Sequence, residues 1–225
     1  MDDVVSDKRR ARADAAVEAL DALRERIANH DLPPGSKLRE TEVSTEFGIS
    51  RARVRELFGT LADRGLIERI PNRGAVVRRL DLADAFALYD VREVLEGLST
   101  RLATEKADPE SWQDLIDLFG GLKDSDMTET ELMAYWDAVD RVRGRTVEAA
   151  DNPLLSDILD GIYDRTKVVT RRIVALPGRA EEGIQEQRQI LAAMRRGDAS
   201  EAERLKCENI RSARDTLQRY EAFVL

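Results

Sequence analysis

The residues with the most chemistry to offer stand together: Ser50, Arg51, Arg53 and Arg55 in the run GISRARVREL, residues 48–57. A guanidinium carries a permanent charge and a rigid fork of N–H donors, so it pairs with phosphate and can hold guanine O6 and N7 through two parallel bonds. Three arginines on alternate positions concentrate that chemistry in a chain whose formal net charge is −8. The charge is unevenly spread. Residues 1–80 hold 16 Lys/Arg against 14 Asp/Glu, while residues 81–225 net −10. Between Phe47 and Leu80 eight arginines face three acids, Glu56, Asp63 and Glu68. Such asymmetry reads as an anion-binding head on an acidic body, or more plainly as a solvated basic patch.

The residue types in short supply exclude whole classes of chemistry. His30 is the single histidine, so neither a His-based metal cluster nor a Ser-His-Asp or Cys-His nucleophile pair can be assembled with confidence. Asp and Glu are so abundant that no catalytic pair stands out. The chain therefore reads as a non-enzyme; catalysis by carboxylates alone would require a pocket holding two raised carboxyl pKa values. Cys207 is the one cysteine, which forbids an intramolecular disulfide and suits a reducing cytoplasm. The opening MDDVVSDKRRARADAA lacks the apolar centre of a signal peptide, and no later run is long enough to span a membrane, so the expectation is cytoplasmic.

The elements that must position the arginines follow from periodicity and punctuation. Residues 1–12 read as a flexible arm with Lys8, Arg9, Arg10 and Arg12 clustered, either plainly loose or touching phosphate. A helix follows over about 13–28, its face set by Ala16, Leu20, Leu23 and Ile27. Leu32-Pro33-Pro34-Gly35 ends it, and a short helix near 40–47 stops at Gly48. Ser50 is placed to cap a third helix that runs to Arg64 and stops at Gly65. Val54, Leu57, Phe58 and Leu61 make its apolar stripe, which leaves small Ala52 and Gly59 on the outer face, where a partner could approach closely. Two β-prone runs, 67–70 and 75–77, flank the turn Pro71-Asn72-Arg73-Gly74. Three helices and a hairpin over 13–80 make a winged helix-turn-helix, whose second and third helices form a DNA-reading pair.

From Asp81 to the end the pattern is helical throughout. Leu88, Val91, Leu95, Leu98 and Leu102 share one face, and Asp108-Pro109 and Asn152-Pro153 are helix caps followed by Pro. Thr128 to Glu131 and Asp198 to Glu201 both fit the capping box. Helices over 82–106, 109–123, 129–151, 153–176, 178–197 and 199–222 predict an antiparallel bundle of about six helices across 81–225. The fold class is thus mostly α, a winged helix-turn-helix with a small β-hairpin followed by a helical bundle.

The run LRERIANHDLPPGSKLRETEVSTEFGISRARVRELFGTLADRGLIERIPNRGAVV resembles the N-terminal domain of GntR-family transcriptional regulators. The likeness lies in the LPPG turn, Leu38 with Glu40, the Gly-Ile-Ser-Arg junction, Val54-Arg55-Glu56 and the Asn-Arg-Gly wing tip. LYDVREVLEGLSTRLA, ADNPLL and ILAAMRRGDASEAERL are similar to the all-helical (FCD) effector domain of the FadR-type branch. The resemblance implies a ligand-responsive repressor that binds a palindromic DNA operator as a homodimer, with 81–225 serving effector binding and dimerisation. It implies that Arg51 and Arg55 reach guanine edges and phosphates, that Ser50 contacts phosphate, and that Gly74, with Asn72 and Arg73, approaches the minor groove. Arg53 replaces a frequent proline of the family, and phosphate contact or a pair with Glu56 are both open to it. A winged-helix module that binds protein instead of reading DNA is the alternative.

The resemblance also implies a divalent metal held by an Asp and three His in the effector domain. Here the matching positions carry Val139 (with Asp140 adjacent), Arg143, Gln187 and Asn209, so no metal and no other cofactor is expected. Arg143 could supply the positive charge itself and pair with a carboxylate or phosphate of a small acidic metabolite, with Gln187, Asn209 and Arg92 beside it. Alternatively Arg143 pairs internally with an acid such as Asp140 or Glu93, and the cavity is closed or takes a larger, apolar ligand.

Overall fold

Helix-forming residues begin almost at once, and α1 spans Asp2–Ala28 in the computed structural model, which describes residues 2–221 apart from 30, 72 and 124. The segment 2–12, read from sequence as an arm, is therefore the first part of that helix. Lys, Arg and Ala, which fill residues 8–13, carry high helix propensity. Two compact units follow the chain, residues 1–80 and 81–225.

In the first unit α1 is followed by β1 (Lys37–Leu38), α2 (Glu40–Glu46), α3 (Arg51–Asp63), β2 (Ile67–Ile70) and β3 (Gly74–Val77). β3 is the central strand of an antiparallel sheet ordered β1-β3-β2, with Leu38 opposite Ala75 and Glu68 opposite Val76. β1 has no counterpart in the sequence reading, because two residues are too few to show a period. The core is built from one face of each element: Leu23 and Ile27 of α1, Val43 of α2, Val54, Leu57, Phe58 and Leu61 of α3, and Ala75 and Val77 of β3. Ser50 caps α3, its Oγ accepting from the Arg53 amide at 3.3 Å, and the Ser44 hydroxyl donates to Ile49 O at 2.7 Å across the helix-turn-helix corner.

Gly74 starts β3 at φ +95°, and a Cβ there would run into the carbonyl oxygen of Leu38 on β1. Both the dihedral and the strand spacing demand glycine. Gly74→Ala is expected to lower unfolding stability by roughly 1–3 kcal/mol, read as a lowered denaturant midpoint.

The second unit comprises α4 (Leu82–Lys106), a 3-10 turn at Pro109–Trp112, α5 (Gln113–Gly120), α6 (Glu129–Ala150), α7 (Pro153–Val174), α8 (Arg179–Arg195) and α9 (Ala199–Arg219). The helix expected over 109–123 is thus a 3-10 turn plus α5, ended by the pair Gly120-Gly121. α4 is the central helix, packed on α9, α6 and α7. Its N-cap is Asp81, and Thr128 heads α6 with a reciprocal capping box through Glu131. Asp198 caps α9 through the Glu201 amide, but the Glu201 carboxylate turns to Arg204, so that box is one-sided. Trp112, Phe119, Ile184 and Leu191 fill the core, and Phe119 meets Tyr135 edge to face at 6.3 Å. No described helix is long and apolar enough to cross a membrane.

Candidate functional site

In the first unit, α2, α3 and the hairpin enclose a groove of about 910 Å³. Lys37, Arg39, Arg51, Arg55, Arg69 and Arg73 line it, opposed by one acid, Glu40. Gly74 borders it as well, beside the turn. Arg51 and Arg55 lie one turn apart on α3 because Val54 and Leu57, on the other face, are buried. Arg55 donates from Nε to Glu40 Oε2 at 2.9 Å, while no described acid lies within ion-pair distance of Arg51. The Arg55 side chain is 57% exposed, so its ion pair is a surface one and contributes only about 0–1 kcal/mol. A phosphate or a guanine edge can displace Glu40 at little cost.

Of the residues singled out in sequence, Arg51, Arg55, Arg73 and Gly74 converge on this groove. Ser50 and Arg53 do not line it. The Ser50 oxygen serves as the α3 cap, which leaves its O–H to donate, and Arg53 pairs with Glu56 at 2.7 Å. Asn72 lies outside the described residues. Lys37, Arg39 and Arg69 escaped the sequence reading. Lys37 reaches the groove from the short β1 and Arg39 from the N-cap of α2, while Arg69 belongs to the basic excess of residues 47–80 without a spacing to mark it.

In the second unit, Arg92, Arg143, Gln187 and Asn209 come from four helices to line one cavity of about 70 Å³. Arg92 and Glu96, one turn apart on α4, form a buried ion pair at 2.8 Å, and Arg92 Nη1 also donates to Thr170 Oγ1 at 3.2 Å. The Arg92 guanidinium lies over the Tyr89 ring at 4.7 Å. Lys206 Nζ reaches the other Glu96 oxygen at 2.9 Å. Burial alone pushes the Glu96 carboxyl up, but the Lys206 and Arg92 charges outweigh it and hold the group at about 2. Tyr163 is pushed well above its ordinary value, by burial first and by Glu96 second, so it stays a neutral phenol.

Arg143 bonds Asp140, one turn earlier on α6, and sits over the Tyr163 ring at 4.1 Å. Of the two acids named for an internal pair, Asp140 is the one Arg143 meets; Glu93 instead pairs with Arg211 at 2.9 Å. Asn209 Nδ2 donates to Glu186 Oε2 at 2.6 Å, and that same carboxylate oxygen accepts from Arg179 Nη2 at 3.0 Å.

Val139, Arg143, Gln187 and Asn209 all line the cavity, so the positions that would hold the family's metal do meet in space. Their chemistry does not fit one. Val139 has no donor atom, Arg143 is a permanent cation, and two neutral amides complete the set. The nearby carboxylates, Asp140 and Glu96, are already bound by arginine and lysine.

Comparisons with known proteins agree with both units. Residues 15–77 match the model for bacterial regulatory proteins of the gntR family, and residues 87–212 match the FCD domain. A protein named "Probable D-xylose utilization operon transcriptional repressor" from Paenarthrobacter nicotinovorans is 38% identical over 96 residues, 43% of this chain and 42% of that one. The HTH-type transcriptional repressor RspR of Escherichia coli (strain K12) is 38% identical over 81 residues, 36% of each chain. The chain thus spans less than half the length of these curated relatives. Among solved structures, E. coli McbR/YncC superposes with a TM-score of 0.74 at 18% identity, over 92% of this chain and 98% of that one, a likeness of fold. With its head matching one family model and more than half its length matching the other, the chain belongs to the gntR family of bacterial regulatory proteins, in the branch that carries an FCD domain.

Proposed function

We propose that the protein is a cytoplasmic transcriptional repressor, not an enzyme, that reads a palindromic DNA operator as a homodimer and is controlled by a small acidic effector held in the helical unit. The observation that carries the DNA reading is the groove in which six cations face a single acid beside the exposed face of α3. In this reading α3 lies in the major groove. Arg51 and Arg55 take guanine edges and phosphate, and Lys37, Arg39, Arg69 and Arg73 follow the backbone. Gly74 lets the wing tip, with Asn72, come close to the minor groove. The Ser50 hydroxyl and Arg53 meet flanking phosphates, Arg53 by exchanging its surface pair with Glu56.

The sense of control follows the relatives, two of which are named repressors. An acid entering the cavity changes the mobility or spacing of two heads and so weakens their joint grip on the operator. No metal has a part in this reading.

Selection of duplexes from a random-sequence pool tests the proposal. A two-fold symmetric site, with half-sites about one helical turn apart, is the expected product for paired recognition helices. Recovery of no enriched duplex would favour the protein-binding alternative, and an asymmetric single site would remove the homodimer.

A further inference from the structure

Glu56 follows Arg55 directly on α3, an acid in the middle of the helix whose exposed arginines carry the DNA reading. The buried stripe of Val54, Leu57, Phe58 and Leu61 faces one way. At about 100° per residue, Ala52, Glu56, Gly59 and Asp63 fall opposite it within an arc of roughly 60°. The Glu56 side chain is 64% exposed, and its one described partner is Arg53, whose Nη1 donates to Oε2 at 2.7 Å. That pair lies on the surface and contributes little. Neither the Ser50 cap nor the core uses the Glu56 carboxylate. Its neighbours along the same line are small: Ala52 is exposed, and nothing lies within 4 Å of where a Cβ on Gly59 would stand. Of the four, Glu56 has the longest side chain and reaches furthest from the helix axis.

A surface that only grips phosphate gains nothing from a negative charge on its outermost line. Such an acid weakens every complex in which no donor meets it, and that is how a repulsive group discriminates among sequences. A carboxylate only accepts hydrogen bonds. On the major-groove edge guanine shows two acceptors, and thymine an acceptor beside a methyl group. Adenine shows a donor flanked by the N7 acceptor, which repels a second carboxylate oxygen. Cytosine alone presents a donor, N4, with no acceptor beside it on the same base. Arg51 and Arg55 suit the opposite pattern, the O6 and N7 acceptors of guanine. α3 therefore exposes readers for both kinds of base edge.

We propose that Glu56 is a specificity-determining residue of α3, accepting from cytosine N4 in each half-site and penalising duplexes that lack cytosine there. Off DNA, Arg53 neutralises it. On the operator, Arg53 turns to a flanking phosphate and releases the carboxylate to the base edge. The proposal rests on the reading of α3 as the DNA-reading helix, and it deepens that reading by naming a base that the arginines do not select.

Fluorescence anisotropy on the full chain tests it, using the selected duplex and variants in which each base pair of both half-sites is replaced in turn. The wild type is expected to prefer cytosine about tenfold at one position per half-site. E56A should bring that preference below about twofold while the guanine positions keep theirs. It should also bind a scrambled duplex at least as tightly as the wild type, since a charge that repels phosphate is gone. E56Q presents an amide that matches adenine N6 and N7, and should move the preference at that position from cytosine to adenine. R53A separates base reading from a mere surface pair: it should weaken all duplexes by one common factor and leave the cytosine preference in place. A cytosine preference that survives in both E56A and E56Q, or that R53A abolishes as fully as E56A does, would overturn the proposal. The two readings fail separately. No enriched duplex for the wild type removes the DNA reading and the role of Glu56 with it. An enriched duplex with the same base preferences in wild type and E56A removes the role of Glu56 alone.

Discussion

Replacing Arg51 and Arg55 together by alanine is expected to cut affinity for the selected operator by roughly 10²- to 10⁴-fold, at about 1–3 kcal/mol for each base-reading arginine. The folded head should survive, because both side chains are exposed and only Arg55 has a described ion pair, the surface one with Glu40. Most surface changes away from caps and cores alter stability by about 0.5 kcal/mol or less. The single variants should separate by role. Arg51, with no described ion pair to exchange, should lose more affinity than Arg55, which must first leave Glu40. A gel shift on the selected duplex and on a scrambled one measures both affinity and discrimination. An undiminished shift in the double variant would displace α3 as the reading helix.

The second large effect lies in the buried network of the helical unit. Glu96 is the only carboxylate described as holding Arg92 and Lys206, and its side chain is 4% exposed. E96Q removes a charge that compensates the buried Arg92 and the half-buried Lys206, and should cost about 3–5 kcal/mol of unfolding free energy at neutral pH. The pH dependence has a definite sign. The folded carboxyl, at about 2, lies below its ordinary 4.5, so the stabilisation is full above the unfolded value and disappears as pH falls from about 5 through 2. At 1.36 kcal/mol per unit that slope amounts to roughly 3 kcal/mol. Urea midpoints taken between pH 7 and pH 2.5 should fall more steeply for the wild type than for E96Q. Parallel curves would mean that Glu96 titrates in the folded protein much as it does in the unfolded chain.

Much of this fold was legible because its punctuation is local. Ser50, Asp81, Asp108, Thr128, Asn152 and Asp198 each cap the element they precede, and the apolar stripe of α3 is the face that is buried. What escaped the reading lacks a local signature. β1 is two residues long and exists only through its pairing with β3. The continuous α1 overrides an expectation drawn from the polar, unpatterned character of residues 2–12, because helix propensity needs no apolar stripe.

The sites divide along the same line. Arg51 and Arg55 declare themselves by sitting four apart on a helix whose other face is apolar. Arg143, Gln187 and Asn209 follow from the resemblance and Arg92 from its place on the first bundle helix, and the cavity does gather them. Arg179 had no such marker. It follows Pro177-Gly178 as one arginine among many, and only the packing of α8 against its neighbours reveals two donors with no hydrogen-bond partner among the described residues. The same packing shows a partner that no motif marked, Asp140, which accepts from Arg143 one turn along α6.

The salt dependence of binding to the selected duplex tests the DNA reading most directly, because it counts phosphate contacts without assuming which bases are read. Six groove cations per head, less the one acid, predict a slope of log K against log salt of about −5 for one head. For a dimer with both heads engaged the slope should approach roughly −9. A slope shallower than about −2, or affinity for duplex DNA that does not change between low and physiological salt, would contradict the assignment of the groove to DNA.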